Sequence, residues 1–129
     1  QRQAGVLVST DNGKSTAYAI KSTEERGTMF IGPGVDVYEG MIVGENKYQN
    51  DLAVNVSKAK NLTNERSSNK DVTVVLKSPR RMSLEDCLDY VNNDELVEVT
   101  PKSIRMRKKI LNTDLRKKYE AHHPEEYAK

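Results

Sequence analysis

Tryptophan is absent from this 129-residue sequence, and phenylalanine and cysteine occur once each, as Phe30 and Cys87. So little large aromatic surface argues against a base-stacking platform of the RRM type. A single cysteine excludes an intramolecular disulfide and a cysteine-rich zinc site, and the expected compartment is the reducing cytoplasm. No apolar run approaches the roughly 20 residues of a membrane span, so no membrane partner is expected. The only histidines, His122 and His123, are adjacent. Two neighbouring rings on a flexible tail cannot form a fixed base–nucleophile pair, and two ligands without a third make a poor metal site. No catalytic residue and no metal ligand is therefore assigned. At 14.6 kDa and 36% hydrophobic residues, the chain suits one small domain and is too short for a translational GTPase, a kinase or a doubly wound dehydrogenase.

The net charge of +2 conceals blocks of opposite sign. Residues 58–81 carry 7 basic and 2 acidic side chains, residues 82–100 carry 6 acids and no Lys or Arg, and residues 101–118 carry 8 basic groups and 1 acid. Such segregation produces either opposed faces or one bipolar surface. A solvated mosaic of internal salt bridges is the bland alternative.

Thirteen Val and 5 Ile against 9 Leu favour strands, since branched side chains suit a pleated surface. Short strands are expected at 4–10, 17–20, 28–31, 35–38, 41–45, 51–56 and 72–76. Gly-rich corners such as Gly32-Pro33-Gly34 separate them. A hairpin over 95–108 turns at Thr100-Pro101-Lys102, and its second strand sets Ile104 and Met106 against Arg105 and Arg107. Ser83 with Asp86 three residues later forms a variant capping box, predicting a helix over 83–92 whose apolar stripe is Leu84, Cys87, Leu88 and Val91. Thr113 is the expected cap of a last helix over 114–120. The expected fold is α+β and predominantly β: a small curved sheet or partly closed barrel of short strands, with two short helices and a long basic loop over 57–71. Residues 1–118 form the domain, and 119–129 are expected to fray.

Gly13-Lys14-Ser15 resembles the end of a phosphate-binding loop, but Val8 stands where another glycine is required, and a strand is expected to follow instead of a helix. The stronger chemical signal is the 57–71 segment. There Lys58, Lys60, Arg66 and Lys70 alternate with Asn61, Thr63, Asn64, Ser67 and Ser68. Cations neutralise phosphates while amides and hydroxyls donate to phosphate and ribose oxygens, a pattern for the backbone of structured RNA. Lys102, Arg105, Arg107 and Lys109 form a possible second patch. The rival reading is a protein-interaction module that uses the acidic helix, residues 85–95, and makes no direct RNA contact.

Two long strings, RGTMFIGPGVDVYEGMIVGEN at 26–46 and DELVEVTPKSIRMRKK at 94–109, together with KAKNLTNERSSNKD at 58–71, resemble the C-terminal domain of the TypA/BipA translational GTPases. The likeness covers roughly residues 5–118. It implies a fragment of a larger factor whose GTP and Mg belong to another domain, so that this chain is not itself an enzyme. It further implies a cytoplasmic, monomeric ribosome-binding module, with its parent serving ribosome assembly and stress-responsive translation. By the same resemblance, the basic loop contacts the acceptor arm of A-site tRNA and large-subunit rRNA. Asn61 and Glu65 depart from the family pattern, in which a Gln-like and a Met-like residue stand.

Overall fold

The computed structural model describes residues 2–59 and 74–124. Among them are eight short strands: β1 (Val6–Ser9), β2 (Gly13–Lys14), β3 (Gly27–Met29), β4 (Asp36–Val37), β5 (Met41–Asn46), β6 (Leu52–Val54), β7 (Glu95–Val99) and β8 (Ile104–Lys108). Three helices accompany them: α1 (Ala17–Thr23), α2 (Leu84–Tyr90) and α3 (Thr113–His122). The main sheet has the order β6-β1-β5-β8-β7, and β3 also pairs with β5. One side of β5 carries β1 antiparallel; the other is shared, Met41 and Ile42 facing β8 while Gly44 to Asn46 face β3. A register shift between Leu7 and Val8 adds local twist, and the sheet curls without closing. β2 and β4 form a separate two-stranded ribbon.

Every residue of β1 is buried, because both sheet faces are covered. Leu7, Met41 and Val43 point to one side and pack with Ile20 of α1, Met29, Val37 and Val56. Val6, Val8 and Ile42 point to the other and pack with Cys87 and Tyr90 of α2 and Met106 of β8. The period-2 alternation of β1 and β5 thus divides one apolar run between two small cores.

Several expectations change. Residues 17–20 form α1, not a strand: Thr16 caps the helix, its Oγ1 accepting from the Ala19 N–H at 3.1 Å, and Ala19, Ile20 and Thr23 supply its buried face. The fold therefore has three helices among the described residues. Residues 74–76 belong to no strand, and residues 72 and 73 lie outside the described range. The last helix is capped by Asn112, not Thr113, and runs to His122. Its two histidines bond backwards through Nδ1 to the carbonyls of Lys118 and Tyr119, and the His123 ring stacks on Tyr119.

The capping box of α2 is present: the Asp86 N–H donates to Ser83 Oγ at 3.0 Å and the Ser83 N–H to Asp86 Oδ2 at 3.0 Å. The Ser83 N–H bond to the carboxylate holds the Asp86 pKa below the usual range. The buried face, however, is Cys87 with Tyr90, whose ring meets Phe30 edge-on at 5.4 Å; Leu84 and Leu88 are exposed. Tyr90 outcompetes the leucines because its hydroxyl also reaches Glu45 Oε2 at 2.9 Å. Ser83→Ala removes one capping partner and is expected to cost about 1 kcal/mol in urea unfolding, with the slope unchanged.

Candidate nucleic-acid interface

Of the residues expected to bind RNA, Lys58 is described and exposed. Lys60, Asn61, Thr63, Asn64, Arg66, Ser67, Ser68 and Lys70 lie outside the described residues. What the structure provides is the frame at both ends of that segment, and the frame is α1. On the entering side, the Thr16 N–H donates to Val56 O at 2.9 Å and the Thr16 hydroxyl to Lys58 O at 2.7 Å. On the returning side, Lys21 Nζ donates to Val75 O at 2.9 Å and the Lys77 N–H to Glu24 Oε2 at 2.7 Å. Three residues further, the Arg80 N–H donates to Met29 O at 2.8 Å. The helix missed in the sequence is thus the element that holds the basic segment. Thr16 before Ala17, followed by Ile20 and Thr23 at helical spacing, was the available signal.

The second patch is less cationic than its sequence. Arg107 Nε lies 3.2 Å and Arg105 Nε 3.8 Å from the Glu98 carboxylate across the β7–β8 ladder, and the Arg105 guanidinium sits over the Tyr38 ring at 5.5 Å. Tyr38 also donates to Glu98; burial and that bond push its phenol well above the usual value. Lys102 and Lys109 remain exposed. The acidic helix is likewise reduced, since Asp86 is engaged in the cap and Asp94 and Glu95 turn inward. Glu85 and Asp89 stay exposed beside Leu84 and Leu88.

Lys108 is buried on β8 like Met106 two residues before it, yet it carries a charge. Its fully buried ammonium lies 2.5 Å from Asp51 Oδ2, 2.7 Å from Asp94 Oδ2 and 2.7 Å from Glu95 Oε2. Glu95 is clasped on its other side by both terminal nitrogens of Arg2 and accepts from the Asn92 N–H at 2.8 Å. Arg2 in turn covers the Tyr90 ring at 4.9 Å and donates to the Ala4 and Tyr90 carbonyls. Burial acts to raise the Glu95 pKa, but the Arg2 bonds and the Lys108 charge outweigh it and hold it below the usual carboxylate range. For Lys108, burial favours loss of the proton and the three carboxylates more than offset it, so its pKa lies above the ordinary lysine value. Carboxylate oxygens of Asp51, Asp94 and Glu120 lie within 4.8 Å of one another. The Lys108 ammonium already supplies positive charge to two of them. This cluster ties the start of the chain and the 51 region to β7 and β8.

The Gly13-Lys14-Ser15 stretch does precede a helix, contrary to expectation, but Gly13 and Lys14 form β2. Lys14 Nζ pairs with Asp36 Oδ1 at 3.1 Å, and the buried Ser15 hydroxyl donates to Gly32 O at 2.8 Å. With Val8 in place of the required glycine, Lys14 serves the β2–β4 ribbon and Ser15 ties the 32–35 turn that leads into β4.

Residues 4–113 match the model of the TypA/BipA C-terminal domain. The chain belongs to the TypA/BipA C-terminal domain family. It is 59% identical over 117 residues to the large ribosomal subunit assembly factor BipA of Bacillus subtilis, covering 91% of this chain and 19% of that protein. Identity to the putative elongation factor TypA-like SVR3, chloroplastic, of Arabidopsis thaliana is 56% over 107 residues, covering 83% of this chain and 16% of that protein. The large ribosomal subunit assembly factor BipA of Escherichia coli (strain K12) is 49% identical over 118 residues, 92% of this chain and 19% of that protein. This TypA/BipA domain therefore spans about a fifth of the length of the curated relatives it matches. Among its described residues, no helix is long and apolar enough to cross a membrane.

Proposed function

We propose that this TypA/BipA domain is the RNA-contacting module of a ribosome-bound translation factor GTPase. The observation that carries the reading is the anchoring of both ends of the basic segment on α1, through Thr16 to Lys58 and through Lys21 and Glu24 to Val75 and Lys77. A polycationic segment held at both ends loses less entropy on binding than a free tether. Lys58, Lys60, Arg66 and Lys70 contact phosphates, and Asn61, Thr63, Asn64, Ser67 and Ser68 orient the backbone, the target being the acceptor arm of A-site tRNA and neighbouring large-subunit rRNA. Lys102 and Lys109 extend the contact, with Arg105 and Arg107 contributing what Glu98 leaves of their charge. GTP, Mg and hydrolysis belong to the rest of the parent factor, whose work is assembly of the large subunit and translation under stress. Attachment to further ribosome-bound domains raises the effective concentration of this one. The parent works where ribosomes are, in the bacterial cytoplasm or its plastid counterpart.

Co-sedimentation with large ribosomal subunits at two salt concentrations tests this. If four phosphates are neutralised, binding should weaken about a hundredfold over a fourfold rise in salt. Changing Lys58, Lys60, Arg66 and Lys70 to alanine should abolish that salt-sensitive fraction. Equal binding by the variant would move the contact to the Lys102 and Lys109 surface or to the Glu85 and Asp89 face of α2. Binding by neither protein would count against the reading.

A further inference from the structure

Resting on that reading, we propose that the cleft between α1 and β6 seats one unpaired nucleotide of a single-stranded RNA, its phosphate on Arg26 and Lys58 and its base against Tyr18. The cleft holds about 310 Å³, the size of a single nucleotide and not of a base pair. Tyr18, Ser22 and Arg26 line it from α1 and the turn that follows, and Leu52, Asn55 and Lys58 from β6 and its exit.

Charge distinguishes this cleft. Arg2, Lys14, Lys21, Arg80, Arg105, Arg107 and Lys108 each lie within 4.0 Å of a carboxylate. Arg26 and Lys58 pair with no acid among the described residues, as is also true of Lys47, Lys77, Arg81, Lys102, Lys109 and Arg116 to Lys118; what sets this cleft apart is that two such cations line one concavity in which none of the lining residues is acidic. Two uncompensated cations on a concave wall focus a positive field and favour an anion. Ser22 and Asn55 add neutral hydrogen-bonding groups suited to ribose and phosphate oxygens. Leu52, Val54 and the exposed Tyr18 ring provide the apolar side on which a base can rest. The occupant is a strand and not a free nucleotide because Lys58 also opens the basic segment, its carbonyl fixed to the cap of α1.

Fluorescence anisotropy of the 129-residue chain with a labelled, unstructured oligoribonucleotide tests the assignment. Arg26→Gln should weaken binding roughly five- to twentyfold and make the slope of log affinity against log salt shallower by about 0.7. Tyr18→Ala should weaken it about fivefold or more, and Tyr18→Phe, which keeps the ring, should restore it. Unchanged thermal unfolding shows that each variant is folded; should Arg26→Gln not fold, the Tyr18→Ala and Tyr18→Phe pair carries the test. The cleft assignment is overturned, and the proposed function stands, if these variants bind like wild type while Lys60→Ala/Arg66→Ala/Lys70→Ala loses affinity. It is also overturned if heparin, a polyanion without bases, or free AMP displaces the RNA as well as unlabelled oligonucleotide does. Absence of RNA binding by wild type overturns both.

Discussion

Replacing Lys108 with methionine is expected to lower the unfolding free energy by about 3–5 kcal/mol, a large share of the roughly 5–15 kcal/mol of a domain. Methionine retains most of the buried stem, so the loss isolates the charge. Asp94 would then lose the ammonium it bonds, while Glu95 would keep the clasp of Arg2 and Asp51 would keep Arg2 at 4.0 Å and the Val6 N–H. Removing one partner of a buried ionic cluster costs far more than the cluster contributes as a whole, because the remaining charges keep their desolvation penalty. Adding Asp94→Asn to the Lys108→Met protein should therefore recover part of the loss. A double-mutant cycle should give about 1–3 kcal/mol of coupling. Additive losses would show that the two side chains do not interact.

The pH dependence of the same pair has a defined sign. In the wild-type domain the Glu95 pKa is depressed, so its contribution is present above the ordinary carboxylate value and disappears as pH falls through the folded one. Lys108 is raised, so its contribution is complete below the ordinary lysine value of 10.5 and is lost as pH rises through the folded one. Glu120 opposes them mildly: burial raises its pKa, so it favours folding below the ordinary carboxylate value and loses that effect as pH rises. Without Lys108 the inward carboxylates join Glu120 in preferring the protonated form. The Lys108→Met midpoint in urea should accordingly rise on moving from neutral to mildly acid solution, whereas the wild-type midpoint should fall. Parallel pH profiles would refute the role given to the ammonium.

Much of this architecture is legible in the sequence where a local rule and the tertiary environment agree. The β7–β8 hairpin has a turn, alternation and length that all point one way, and its register from Glu95↔Lys108 to Val99↔Ile104 follows. The α2 cap is equally local, two side chains three residues apart. The α1 helix was not legible as such because it is seven residues long, and its apolar residues fit a short strand as well as a helix. Its helical state depends on the Thr16 cap and on a sheet face against which Ile20 packs. Leu84 and Leu88 misled for the opposite reason: helical spacing was read correctly, but the decision between faces came from Phe30 and Glu45, distant in sequence. At the candidate site, composition identifies the basic segment, while nothing local indicates that α1 receives both of its ends. Nor does it indicate that Arg105 and Arg107 share one glutamate, a cross-strand relation available only once the register is known.

Gly27→Ala is expected to destabilise the domain by about 3 kcal/mol or more, while Gly32→Ala, five residues on, should be neutral or slightly stabilising. At Gly27 a β-carbon would lie 1.9 Å from Glu45 O and 2.9 Å from the carbonyl carbon of the same residue, both backbone atoms of β5. No rotamer change can relieve that overlap, so β3 would have to leave β5 and give up the Gly27↔Asn46 to Met29↔Gly44 pairing. At Gly32 an added β-carbon meets nothing within 4 Å, and alanine would mainly restrict the unfolded chain. The contrast concerns function as well as stability. Arg26 precedes Gly27 directly, and its carbonyl accepts from the Lys47 N–H at 3.0 Å, so the close approach of β3 to β5 also fixes where α1 ends. Urea midpoints of the two variants separate the possibilities. A large drop confined to Gly27→Ala would establish backbone approach as the cause. A similar drop in both would point instead to a general requirement for glycine flexibility along 26–34, which the ordered β3–β5 ladder argues against.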